Sequence, residues 1–90
     1  LRKEPIIAEY ADLAPARNKM KQGVMYISEK YLSATHLCLC GCGIEAALPL
    51  GEFGWDMLKS TKGLTVIPSI QQRFECRSHY IITDGVANFV

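Results

Sequence analysis

Three of the chain's four cysteines are packed into Cys38-Leu39-Cys40-Gly41-Cys42, and the fourth stands far downstream at Cys76. No other feature constrains the fold as tightly. Strand alternation puts His36, Cys38 and Cys40 on one face, with Leu37 and Leu39 on the other. Gly41 and Gly43 then let the backbone curl, because glycine accepts conformations that a side chain forbids. A strand end curled around three thiols gathers soft ligands about one point. Thiolate and imidazole donors in a tetrahedral array suit zinc. The second half-site is Cys76-Arg77-Ser78-His79, whose two donors are separated by two residues. Five donors therefore compete for four places: Cys38, Cys40, Cys42, Cys76 and His79. Residue types alone leave that choice open.

The competing readings are two disulfides or unligated buried thiols. Cysteines separated by a single residue bond each other only with strain. Leu1-Arg-Lys-Glu-Pro5 is followed by no apolar stretch of the kind that directs secretion. Ninety residues bury a small share of their surface, so the core alone leaves a thin margin of stability. A structural zinc, worth about 10–16 kcal/mol in finger peptides, offsets that shortage. The expectation is that chelation unfolds the domain.

The formal net charge is +1, with 49% hydrophobic and 21% charged residues. That balance makes no electrostatic case for nucleic acid or an anionic membrane. No apolar run is long enough for a membrane helix. The expectation is a cytoplasmic protein without a membrane or nucleic-acid partner, and the absence of an initial methionine suggests a piece of a longer chain.

Punctuation divides the chain in two. Residues 1–22, interrupted by Pro5 and Pro15, are expected to form a flexible lead-in or linker, irregular or with a short helix after Asp12. Residues 23–90 are expected to form a zinc-binding β domain. Strand-rich stretches are Gly23–Glu29, Ser33–Leu39, Ile44–Leu50, Phe53–Leu58, Leu64–Ile67, Ser78–Thr83 and Val86–Val90. Asp84-Gly85 suits a two-residue turn with positive φ at both positions, and Pro68-Ser69-Ile70 shapes a bend. The fold class is mainly β: a small zinc-stabilised meander or sandwich, zinc-ribbon-like.

A second chemistry is available. If the metal joins the two half-sites, it brings Ser78 towards His36, and a serine beside an imidazole is the minimum for an activated nucleophile. Glu29, Glu45 or Asp56 can orient the histidine. The plainer account has Ser78 hydrogen-bonding a thiolate or the backbone, with His36 supporting the metal site or standing as a spare ligand. No nucleophile-elbow motif is present.

Ala34-Thr35-His36-Leu37-Cys38-Leu39-Cys40-Gly41-Cys42-Gly43, Leu48-Pro49-Leu50, Pro68-Ser69-Ile70 and Cys76-Arg77-Ser78-His79-Tyr80 resemble a small bacterial zinc-binding family of unassigned function. Its members carry CxCGCG followed by CRSHY, and the likeness runs from about Gly23 onward. Leu39 departs from the proline or small residue associated with that position, which leaves the ligands untouched. Some members lie in gene clusters with ubiquitin-like proteins and their activating and conjugating enzymes. The resemblance implies a part in a ubiquitin-like modification pathway, with antiviral defence as its setting. It carries the metal ligands onto Cys38, Cys40, Cys42, Cys76 and His79, and the motif serine onto Ser78.

Two functional classes follow. In the first, structural zinc fixes a β surface that docks a ubiquitin-like protein or its activating or conjugating enzymes. In the second, the chain is a deubiquitinase-like serine peptidase that removes the modifier, with Ser78 as nucleophile and His36 as base.

Overall fold

Alternation of apolar and polar residues runs through most of the chain, and each alternating stretch becomes a strand with one face turned inward. The computed structural model describes residues 2–90. Its strands are β1 (Lys3–Pro5), β2 (Ile7–Tyr10), β3 (Val24–Ser28), β4 (Ser33–Leu37), β5 (Glu45–Pro49), β6 (Asp56–Ser60), β7 (Gly63–Gln71), β8 (His79–Thr83) and β9 (Val86–Phe89). Among the described residues the one helical element is a 3₁₀ turn at Arg17–Lys19.

The strands form two sheets, ordered β1-β9-β8-β7-β6 and β2-β3-β4-β5. All neighbours are antiparallel except β2 and β3, which run parallel. The fold is thus mainly β, a two-sheet arrangement with meander connections. Between the sheets lie Met25, Ile27, Ala34, Cys38, Leu39, Leu48, Leu64, Val66, Ile70, Tyr80, Ile82 and Ala87, all buried. Cys38 is therefore a core residue and a member of the thiol cluster at once.

Within the expected lead-in, residues 2–22 hold two short strands and a 3₁₀ turn. Lys3–Pro5 pairs with β9, and Ile7–Tyr10 pairs with β3. Ile6, between them, is buried where the chain passes from one sheet to the other. Pro5 is accommodated because β1 is an edge strand, where a missing N–H breaks no ladder. Further along, Met20 packs on Val24 and Tyr26, and the Lys21 N–H donates to the Tyr26 hydroxyl at 2.9 Å. That cover is why all five residues of β3 are buried.

The hairpin at Asp84-Gly85 forms as its residues predict, with φ of 50° and 81°. The Pro68 bend is subtler. The β7–β8 register shifts between Val66 and Ile70, around a proline that has no N–H to give. Beyond it, Ile70 pairs with Tyr80 and Gln71 with His79.

Candidate functional site

The cysteines are positioned from three sides. The Cys38 N–H donates to the Ile44 carbonyl at 2.8 Å, closing the loop after β4, and the Gly41 N–H donates to the Cys38 carbonyl at 3.1 Å. Gly41 and Gly43 both have positive φ, 94° and 80°, so the curl uses glycine where a side chain would be strained. From outside, Gln22 Nε2 donates to the Cys38 carbonyl at 2.9 Å, and Arg2 donates to the Leu39 and Cys40 carbonyls. Cys76 arrives from the loop joining β7 to β8, where the Arg77 N–H donates to the Phe74 carbonyl in a tight turn.

The result is a cluster of four sulfurs, Cys38, Cys40, Cys42 and Cys76, all within 4.8 Å of one another. Cys38 and Cys40 are 3.5 Å apart, and Cys76 lies 3.8 Å from both Cys38 and Cys42. All four are free thiols. Burial pushes the Cys38 thiol up to about 12. At Cys40 burial also acts upward, but Ser78 and the Cys38 thiol outweigh it and bring the group down to about 6. Once ionised, sulfurs this close repel one another, and a cation between them offsets that repulsion. Four cysteines so arranged can hold a metal ion.

His79, the fifth donor, stands elsewhere. Its side chain points to the opposite side of β8 from buried Tyr80, and its Nε2 lies 2.9 Å from Ser69 Oγ. The cluster takes Cys76 from the closing motif without the histidine.

Ser78 and His36 are both interior. Ser78 acts to lower the thiols of Cys40 and Cys76, an influence compatible with the plainer of the two roles weighed for it. His36 is wholly buried, and its Nε2 lies 2.7 Å from the Tyr80 hydroxyl. That hydroxyl accepts from Gln72 Nε2 at 2.9 Å. His36 Nδ1 is buried without a hydrogen-bond partner. Burial holds the imidazole down at about 4, so it is neutral at physiological pH. Among the described residues no hydrogen bond joins Ser78 to His36.

Ser69 is the residue that the sequence reading did not single out as a nucleophile. Its Oγ and His79 Nε2 form the one serine–histidine side-chain hydrogen bond among the described residues, at 2.9 Å. The pair lies on the outward face of β7 and β8, and Ser69 lines an open cleft of about 650 Å³ with Trp55, Pro68, Gln71, Gln72, Arg73 and Arg77. Trp55 Nε1 donates to the Ser69 carbonyl at 3.3 Å and fixes the backbone there. The available signal was alternation. Gln71 pairs with His79, and Ser69 precedes Gln71 by two, so all three share a face. Finding it required the register.

A small two-sheet β protein with a four-cysteine cluster and a serine–histidine pair whose serine lines an open cleft is the class these features define. The chain belongs to the BubE family, described as a bacterial ubiquitination-like system serine protease, whose sequence model matches residues 11–90. No curated protein and no solved structure matches the chain. The family's span begins twelve residues before Gly23 and takes in the segment that packs on the outer face of β3.

Proposed function

We propose that this chain is a serine peptidase of a bacterial ubiquitin-like modification pathway, with Ser69 as nucleophile, His79 as base and a structural zinc on the four cysteines. The observation that carries the reading is the 2.9 Å hydrogen bond between Ser69 Oγ and His79 Nε2, with Ser69 lining an open cleft. It meets the distance needed for a nucleophile and its base. In the reaction, Ser69 Oγ attacks the carbonyl carbon of the scissile bond while its proton passes to His79 Nε2. The same proton then goes to the departing amine as the C–N bond breaks. Water, deprotonated by His79, releases the acyl group from Ser69 and restores the hydroxyl.

Zinc is supported by sulfur spacing. Bonds of about 2.3 Å in a tetrahedron place sulfurs about 3.8 Å apart, and three of the separations run from 3.5 to 3.8 Å. Four thiolates leave no open position for a substrate or water, so the metal's part is structural. It anchors the β7–β8 loop through Cys76, and with it one wall of the cleft.

The sequence-derived pair, Ser78 with His36, is a second reading, favoured by the partnerless Nδ1 of His36. Against it stand the burial of both residues and the engagement of His36 Nε2 with the Tyr80 hydroxyl. One assay separates them. In a linear fusion of the pathway's ubiquitin-like protein to a reporter, Ser69→Ala abolishes cleavage with folding and zinc content intact, while Ser78→Ala still cuts. The reverse pattern assigns the chemistry to Ser78. If the unaltered chain never cuts the fusion, the docking-module reading stands instead.

A further inference from the structure

Strand β6 ends its pairing with β7 at the Asp56–Ile67 pair. From Pro68 to Gln71, β7 continues with β8 on one side and, among the described residues, no strand on the other. The direction of its backbone groups there is fixed by one bond. The Gln72 N–H donates to the Ser78 carbonyl at 2.7 Å, so Gln72 and Ile70 point towards β8. By alternation, Ser69 and Gln71 present their N–H and C=O groups to the uncovered side. Trp55 Nε1 reaches the Ser69 carbonyl from that side, which agrees with this orientation. The Gln71 N–H and C=O remain on an open sheet edge two residues from Ser69.

The wall beside that edge is cationic. Arg73 and Arg77 line the cleft and no carboxylate does. Among the described residues neither guanidinium makes an ion pair, the single salt bridge being Arg2–Glu4.

We infer that the substrate binds as an extended, acidic peptide that adds a strand to the uncovered edge of β7 at Gln71, in line with β6, with a carboxylate facing Arg73 and Arg77. This rests on the assignment of Ser69 and His79 as the reactive pair. Strand addition satisfies the free backbone groups and carries the peptide past Ser69 Oγ, with alternate side chains turned towards the sheet's outward face. It also selects by conformation. A flexible tail or linker can lie flat along the edge, whereas a folded helix or loop cannot.

The probe is a fluorogenic decapeptide spanning the junction that the unaltered chain cuts in the linear fusion, in versions N-methylated at one residue each. A peptide paired as a strand loses an N–H to the enzyme only at every second residue. N-methylation at those residues lowers kcat/KM roughly fivefold to tenfold, and methylation between them has little effect. Equal effects at all positions overturn strand addition. A second readout is independent of turnover. In the Ser69→Ala chain, the decapeptide slows hydrogen exchange of the Gln71 amide. Unchanged exchange at peptide saturation overturns the edge. Replacing the acidic residues nearest the cut by their amides lowers kcat/KM about tenfold, and a junction without a carboxylate within three residues of the cut overturns the arginine contact. If the fusion is cut by a chain carrying Ser69→Ala, the reactive pair is wrong, an outcome distinct from any of these.

Discussion

His36 Nε2 meets the Tyr80 hydroxyl at 2.7 Å, joining β4 of one sheet to β8 of the other by a hydrogen bond inside the apolar core. The ring edges meet at an interplanar angle of 81°. Gln72 completes the chain of polar groups by donating to the same hydroxyl. Tyr80→Phe removes the hydroxyl and leaves two buried nitrogens without it. The expected loss is about 2 kcal/mol or more, read as a lower midpoint in guanidinium unfolding with the slope unchanged. A midpoint equal to the parent's would show that water replaces the hydroxyl.

The same histidine gives stability a dependence on pH. Its value falls from 6.5 in the unfolded chain to about 4 in the folded one, through burial. Between those values the unfolded state binds more protons, so stability rises with pH. The His36 contribution is complete above pH 6.5 and is lost as pH falls towards 4, by about 3 kcal/mol in all. Comparison with His36→Gln isolates it from protonation of the thiols. The stability difference between the two chains should shrink as pH drops from 7 to 5. A constant difference would contradict the burial argument.

The split of the CRSHY histidine from the sulfur cluster is directly testable. His79→Asn should retain one zinc per chain by mass spectrometry under native conditions and lose cleavage of the linear fusion by about a hundredfold or more. Loss of the metal would return His79 to the ligand set.

The four thiols should differ in their structural weight. Cys38 is fully buried and Cys42 is exposed. Cys42→Ser and Cys38→Ser should both weaken metal binding, but only Cys38→Ser places a hydroxyl in the core. Its additional destabilisation, about 1–3 kcal/mol, should persist when both variants are measured with a chelator present.

Gly63 opens β7 at φ of +129°, and a Cβ there would come within 2.8 Å of the Gly85 Cα in the neighbouring turn. Gly63→Ala therefore combines backbone strain with a clash against main chain that cannot rotate away. A destabilisation of about 1–3 kcal/mol is expected, measured by thermal unfolding. A Gly85→Ala chain, whose nearest contact is 3.4 Å, should meet less crowding.

The long strands were legible because each has one wet and one dry face, as in Glu45–Pro49 and His79–Thr83. Asp84-Gly85 was legible because few residue pairs accept that turn. Lys3–Pro5 and Ile7–Tyr10 were not, since short edge strands carry little alternation and acquire their meaning from partners more than a dozen residues away. At the site, clustering in sequence announced three thiols. The proximity of Ser69 to His79 depends on how β7 pairs with β8, with Gln71 opposite His79, and no local pattern displays that pairing. Ser78 stands out in the sequence because a metal joining the two half-sites would bring it towards His36, whereas the His36 side chain is bonded to Tyr80.

The loop Arg73–Arg77 is held at both ends and in the middle. Gln72 is bonded to Ser78 across its base, Cys76 reaches the other sulfurs behind it, and two arginines face the cleft in front. An insertion there would move a sulfur or a guanidinium. Across lineages this loop should therefore keep its length while its neighbours drift, and the surface turn Gly51–Gly54, where Gly54 bonds back to Gly51, should be where insertions accumulate.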